Sequence, residues 1–316
     1  MSIFRYVVLV GSILFGLNSQ GELNVIAVGD TGKGNTEQFQ VGQAMARECR
    51  QIQCDFALLL GDNIYQVGID SPSDPQMIEK FEKPYAEFPQ PFYVALGNHD
   101  YGKMANEWHR GDYQVEYSKN NPKYILPSHY YAFEKNDVLF IVLDTSRYFH
   151  DKDSKQQTEF VKTQISKSTA KWKVVVAHHP FISNGKHGNA GSYDGVPFPP
   201  YSGSVIKKLV ENELCGKIDI YISGHDHNLQ TLQGQGKCAN TLFVVSGTGA
   251  SGDDKLNDKN PTLFQSPEFG YSSLSFLADR IIVRHHGLEG RMLHSHDYTK
   301  SKTLLDYFKN WLALNN

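Results

Sequence analysis

The chain has no surplus of positive charge: 31 Lys and Arg face 34 Asp and Glu, a formal net charge of -3. Nucleic acid, which a basic face would attract, therefore has no electrostatic case here. Internal repeats and low-complexity linkers are also missing, so one domain is the simplest organisation. Beyond Leu17 no segment has the length and apolarity to span a bilayer. The four cysteines are few, and none is flanked like a zinc site or a catalytic thiol. No Asn-X-Ser/Thr sequon occurs. The loop GDTGKGNT is no phosphate-cradling loop, because Lys33 is followed by Gly34 and the required spacing is absent.

What is present points elsewhere. At 40% hydrophobic content the chain fills a sizeable core. Its N-terminus, MSIFRYVVLVGSILFGLNSQG, sets one basic residue, Arg5, before the apolar run Tyr6–Leu17, and small or polar residues after it. That is the layout of a secretory signal peptide, residues 1–21, cut near Ser19 to Gly21. An uncleaved anchor or a buried N-terminal strand is the alternative. Residues 22–316 then form a single domain, exported to the periplasm, a lumen or the medium. In that oxidising setting disulfides persist. Of three possible connectivities, proximity in sequence favours Cys49–Cys54 with Cys215–Cys238.

One unit recurs five times: a short apolar run, then glycine or alanine, then polar residues able to hold a metal. The instances are LNVIAVGDTG (Leu23–Gly32), FALLLGDNIY (Phe56–Tyr65), FYVALGNHD (Phe92–Asp100), KVVVAHHP (Lys173–Pro180) and IYISGHDH (Ile220–His227). Such runs suit strands buried on both faces. Helical stretches separate several of them: Thr36 to Cys49, with Asn35 as N-cap and Gln38 three residues on, Thr158 to Ser168, and Ser202 to Leu214. The fold class is therefore α/β with largely parallel strand pairs, whose C-terminal ends share one edge and gather the five clusters there. Past Gly247 come a Gly/Asp-rich loop, strand-like runs around Ser272–Leu277 and Arg280–Arg284, and a helical tail, Thr303–Leu314.

The clusters offer Asp30, Asp62, Tyr65, Asn98, His178, His225 and His227. Seven ligands exceed one zinc and suit two ions about 3.5–4 Å apart sharing a carboxylate, for which Asp62 is placed. One set holds Asp30, Tyr65 and a histidine; the other holds Asn98 and two histidines. A phenol ionises only near pH 10 when free, so a tyrosinate ligand requires a strongly acidic, trivalent ion. The imidazole-rich set suits divalent Fe, Zn or Mn. Two aspartates, a phenolate and a bridging hydroxide carry four negative charges, and a trivalent–divalent pair leaves one positive charge over to hold an anion.

GDTG, GDNIY, GNHD, VVAH and GHDH together resemble the five-block signature of the purple acid phosphatases, most closely the single-domain, tartrate-resistant type. The resemblance covers about Leu23 to His286. It implies an αββα sandwich of two mixed β-sheets flanked by helices, with Asp30, Tyr65 and His227 on Fe(III), Asp62 bridging, and Asn98, His178 and His225 on the divalent ion. By the same resemblance His99 and His187 are the catalytic acid/base histidines. His179 stands where mammalian relatives carry tyrosine, and the loop after Asp144 looks shorter than their protease-sensitive loop, so regulation by proteolysis is not expected. His179 reads as a packing residue, and His285/His286 and His294/His296 as core or solvated residues rather than a second metal site.

The function implied is hydrolysis of phosphate monoesters, small molecules or phosphoproteins, at acid pH. A metal-bound hydroxide attacks phosphorus in line and a protonated histidine donates to the leaving alkoxide. A monomer without nucleic-acid partners or stable membrane insertion is expected. Two alternatives remain: a metallophosphodiesterase acting on nucleotides or lipids, against which Tyr65 argues, and a non-catalytic metal-binding module, from which a lost ligand would be expected.

Overall fold

The computed structural model describes residues 22–199, 201–252 and 255–300. The signal-peptide segment and the helical tail Thr303–Leu314 lie outside the described residues. The five motif runs are strands: β1 (Leu23–Val28), β2 (Phe56–Leu60), β3 (Phe92–Ala95), β7 (Trp172–Val176) and β8 (Ile220–Ser223). Between them lie β4 (Tyr124–Ile125), β5 (Tyr131–Lys135) and β6 (Val138–Val142). After them come β9 (Leu229–Gln233), β10 (Leu242–Ser246), β11 (Thr262–Ser266), β12 (Gly270–Phe276), β13 (Ile281–Gly287) and β14 (Met292–Tyr298).

These build two seven-stranded sheets, ordered β14-β13-β12-β1-β2-β3-β4 and β11-β9-β10-β8-β7-β6-β5. The motif strands occupy the parallel centres, β1-β2-β3-β4 in one sheet and β10-β8-β7-β6 in the other. The flanks are antiparallel, so both sheets are mixed. Local turns account for the flanks. Between β5 and β6, Asn136 and Asp137 both have positive φ, 47° and 63°, as a two-residue hairpin loop requires.

The sheets stack face to face. Alternate residues of β6, Phe140 and Val142, enter the core shared with the first sheet, while Leu139 and Ile141 pack outward with Val161, Ile206 and Leu209. Those three come from the helices α4 (Ser154–Lys167) and α5 (Ser204–Leu209). Both faces of the central strands are thus covered, which is why the motif runs are apolar throughout.

Helix α1 (Thr36–Ile52) starts where Asn35 accepts from Gln38 N at 3.2 Å. The Gln38 side chain does not close a box on Asn35; it takes Gly34 N and donates to Lys80 O. The helix runs one turn past Cys49, and α4 begins four residues before Thr158. The stretch expected as one helix over Ser202–Leu214 is α5 followed by a π-turn, Val210–Leu214. Trp108–Ser118 (α2) and Thr145–Phe149 (α3) complete the α-helices described. Both expected disulfides form, Cys49–Cys54 and Cys215–Cys238, and suit an oxidising compartment. Among the described residues no helix is long and apolar enough to cross a membrane.

Candidate metal centre

The five polar clusters follow the C-terminal ends of β1, β2, β3, β7 and β8, three from one sheet and two from the other. The site therefore lies where two sheet edges meet, rather than along a single edge. Sharp turns aim the side chains. Asp30, Asp62 and His225 leave their strands with φ of 58°, 54° and 70°, in the left-handed region that β-strands cannot continue through. Crowding explains two of the glycines: a Cβ on Gly61 would lie 2.6 Å from the His178 ring, and one on Gly97 would lie 2.2 Å from Asp62 N.

All seven predicted ligands come together. Tyr65 Oη lies 3.0 Å from Asp30 Oδ1, 3.1 Å from Asp62 Oδ2 and 3.2 Å from His227 Nε2. His227 Nε2 is 3.5 Å from Asp30 Oδ1. On the other side, His178 Nε2 lies 3.0 Å from Asn98 Oδ1, 3.2 Å from His225 Nδ1 and 3.4 Å from Asp62 Oδ1. Asp62 thus presents one oxygen to each group. Asp30, Asp62 and His178 are buried with ligand atoms within 4.8 Å of one another.

The donor set fits metal ions. His178 Nδ1 faces Leu60 O at 2.8 Å, which turns Nε2 to the Asn98 and Asp62 oxygens. Burial would lower this imidazole, but the Asp62 charge outweighs it and raises His178 to about 9, so without a metal Nε2 carries a proton. That proton offsets the buried carboxylates, and a metal cation would take its place on Nε2. Burial, then the charges of Asp30 and Asp62, push the Tyr65 phenol well above its ordinary range. Burial would also raise Asp62, but the His178 charge and hydrogen bond, then His99, outweigh it and hold the carboxyl well below its usual range. Burial and the neighbouring imidazoles of His179 and His187 push His225 well below its usual value, so it is neutral.

Both expected acid/base histidines border the site. His99 N donates to Asp62 Oδ1 at 2.8 Å, and its ring lies 4.5 Å from the Tyr65 ring, with Nε2 4.0 Å from Asp62 Oδ2. The His187 ring lies 4.2 Å from the His225 ring, tilted by 32°, with Nδ1 2.8 Å from Asp194 Oδ1. His179 packs: it is buried, meets Thr145 Oγ1 through Nδ1 at 2.9 Å and stacks on Phe149. His285 and His286 are core residues, bonded to Thr231 and Ser272, and to Ser273.

Three supporting carboxylates escaped the sequence reading. Buried Asp100 accepts from Asn63 N, Ile64 N, Gly97 N and Gln114 Nε2, locking the GDNIY and GNHD turns to each other. Asp226 accepts from His187 N. Asp194 holds the His187 ring. Asp100 and Asp226 stood inside quoted motifs, interleaved with ligands, which is the signal that could have found them; Asp194 carries none.

A two-sheet sandwich with this cluster at its edge defines a metallophosphoesterase. Residues 23–229 match the calcineurin-like phosphoesterase family, and the chain belongs to it. More particularly, it is 27% identical to purple acid phosphatase 7 of Arabidopsis thaliana, over 89% of this chain and 88% of that one. It is 28% identical to tartrate-resistant acid phosphatase type 5 of Sus scrofa, over 72% and 69%. These relatives are phosphatase enzymes. Among solved structures, GAP50, the anchor in the inner membrane complex of Plasmodium, superposes with a TM-score of 0.72 at 21% identity, covering 93% and 95% of the two chains.

Proposed function

We propose that the chain is a binuclear-metal acid phosphatase that hydrolyses phosphate monoesters. The observation that carries this is Asp62, whose two oxygens face two separate donor groups. Asp30, Tyr65 and His227 would hold Fe(III), with Asn98, His178 and His225 on divalent Fe, Zn or Mn. Such a pair, when bound, supplies Lewis acidity toward the phosphoryl oxygens and an activated water for in-line displacement.

The chain's own residues do the rest. His178 Nδ1 is anchored on Leu60 O, which orients the ring and, once metal is bound, keeps its proton off the site. His99 is anchored the same way, Nδ1 on Gln66 O at 2.7 Å, leaving Nε2 toward Asp62 to carry the proton for the leaving oxygen. Asp194 orients His187 from the opposite rim. Asn98, His178 and His225 carry no negative charge where the phosphate arrives.

Residues 22–316 would make up one catalytic domain, monomeric and exported behind the signal peptide; the two disulfides support export. The test is hydrolysis of p-nitrophenyl phosphate against bis-p-nitrophenyl phosphate between pH 4 and 8. Preference for the monoester at acid pH is expected. Preference for the diester, or inertness with metal bound, overturns the reading.

A further inference from the structure

His187 stands at the tip of a short loop that closes on itself. At its base Ser183 N donates to Asn189 Oδ1 at 2.9 Å, and Gly185 N donates to Ser183 Oγ at 2.9 Å. Asn184 and Asn189 form the two shoulders on either side of the tip. The loop is pressed onto the turn after β8: a Cβ on Gly185 would lie 2.4 Å from Asp226 Cγ and 2.4 Å from Asn228 Nδ2. It belongs to no helix or strand, so its polar groups need partners from elsewhere.

Those partners are mostly amides. Asn184 is fully buried, and each of its polar atoms is bonded. Its Nδ2 donates to Thr262 Oγ1 at 2.7 Å and Gln265 Oε1 at 3.1 Å, both on β11, and its N donates to Gln230 Oε1 on β9 at 2.9 Å. Its Oδ1 accepts from Asn260 N at 2.8 Å, and its O accepts from Asn257 N at 2.8 Å. The other shoulder pairs amide to amide, the Nδ2 of Asn189 and of Asn260 each on the other's Oδ1 at 2.9 Å. Asn260 Nδ2 also reaches Ser183 O and Asn184 Oδ1, both at 3.0 Å. Asn260 thus bonds the base and both shoulders at once. It comes from the polar loop between β10 and β11, a stretch to which the metal centre gives no role.

We propose that Asn260 is a positioning residue for hydrolysis: by clamping both shoulders of the loop it fixes where the His187 imidazole stands beside His225. The inference rests on the phosphatase reading, with His187 as an acid/base group. Asp194 belongs to the same stretch of chain, so it turns the ring without fixing the loop. Asp226 fixes the tip through His187 N, and Asn260 fixes the base. Placement matters because a catalytic group displaced by about 1 Å loses up to about 10²-fold in rate.

A double-mutant cycle on the metal-loaded full chain tests this, with p-nitrophenyl phosphate as substrate. Asn260→Ala is expected to lower kcat about ten- to 10²-fold, with KM and metal content near the wild-type values. In a His187→Ala background the same substitution is expected to cost nothing further, because there is no imidazole left to place. Hydrogen exchange should show faster exchange at the amides of residues 183–189 in Asn260→Ala. Where Asn260→Ala does not fold, Asn189→Ala, which frees one shoulder only, serves in the same cycle. An unchanged kcat, or the same loss with and without His187, overturns the positioning role while the phosphatase reading stands. A wild type that hydrolyses no phosphate ester brings down that reading and the role of Asn260 with it.

Discussion

Tyr65 Oη and Asp30 Oδ1, carried by the turns after two adjacent parallel strands, stand 3.0 Å apart with the phenol buried. Between two carboxylates the phenol keeps its proton unless a cation takes that place. The metal-free protein is therefore expected to be colourless, and the iron-loaded protein violet from a tyrosinate-to-Fe(III) transition. Tyr65→Phe should abolish the visible band while elemental analysis still finds iron. A colourless, iron-loaded wild type sinks the assignment.

Asp62 serves both donor groups, so its loss should cost more than one ligand's share. Asp62→Ala is expected to lower bound metal from two ions per chain to one or fewer, with activity down at least about 10³-fold. Asp30→Ala, touching one group, should leave the other ion in place. Metal analysis after dialysis separates the two variants. Equal stoichiometry in both would contradict a bridging carboxylate.

The His99 ring can be removed without loosening Asp62, because Asp62 is held by the His99 main-chain N–H. His99→Ala should lower kcat about 10²- to 10⁴-fold, the usual worth of a general acid, with metal content and colour retained. Unchanged turnover would show that the imidazole only packs on Tyr65.

Acid stability should be set partly by two core histidines outside the donor cluster, His285 and His286. Burial, then His294 and His286, lowers His285 to about 3. Burial is also the largest influence on His286, lowered to about 4. Both lie below the unfolded value of about 6.5, so between those limits the unfolded chain binds more protons. Stability is complete above about pH 6.5 and is lost as pH falls, by up to about 1.4 kcal/mol per pH unit for each histidine. Urea midpoints at pH 7, 5 and 4 should fall accordingly, and His285→Gln should flatten the decline. A variant as steep as the wild type would assign the loss to other groups.

The parts legible in the sequence share a physical cause. Each motif strand is covered on both faces, so its residues are uniformly apolar and its end is abrupt, as in FALLL before Gly61 and Asp62. Periodicity could not divide those strands between two sheets, because a strand buried by a helix and one buried by a sheet look alike; only the resemblance supplied the sandwich. Edge strand β14, MLHSHDY, is mostly polar and partly exposed, and left no apolar signal. Asp100 was hidden for another reason. Its partners Asn63 and Ile64 lie 37 and 36 residues away, and nothing local distinguishes a carboxylate that caps distant turns from one that solvates.

The left-handed turns at Asp30, Asp62 and His225 put a selective asymmetry into the chain. Aspartate tolerates that backbone moderately and histidine less well, whereas glycine adopts it freely. A lineage that stopped using metal would gain stability by drifting to glycine or asparagine at these points, since nothing would favour the ligands. The three side chains thus stand at a backbone cost that only their place in the donor cluster offsets, and glycine there would give a chain that folds more easily and holds metal less well.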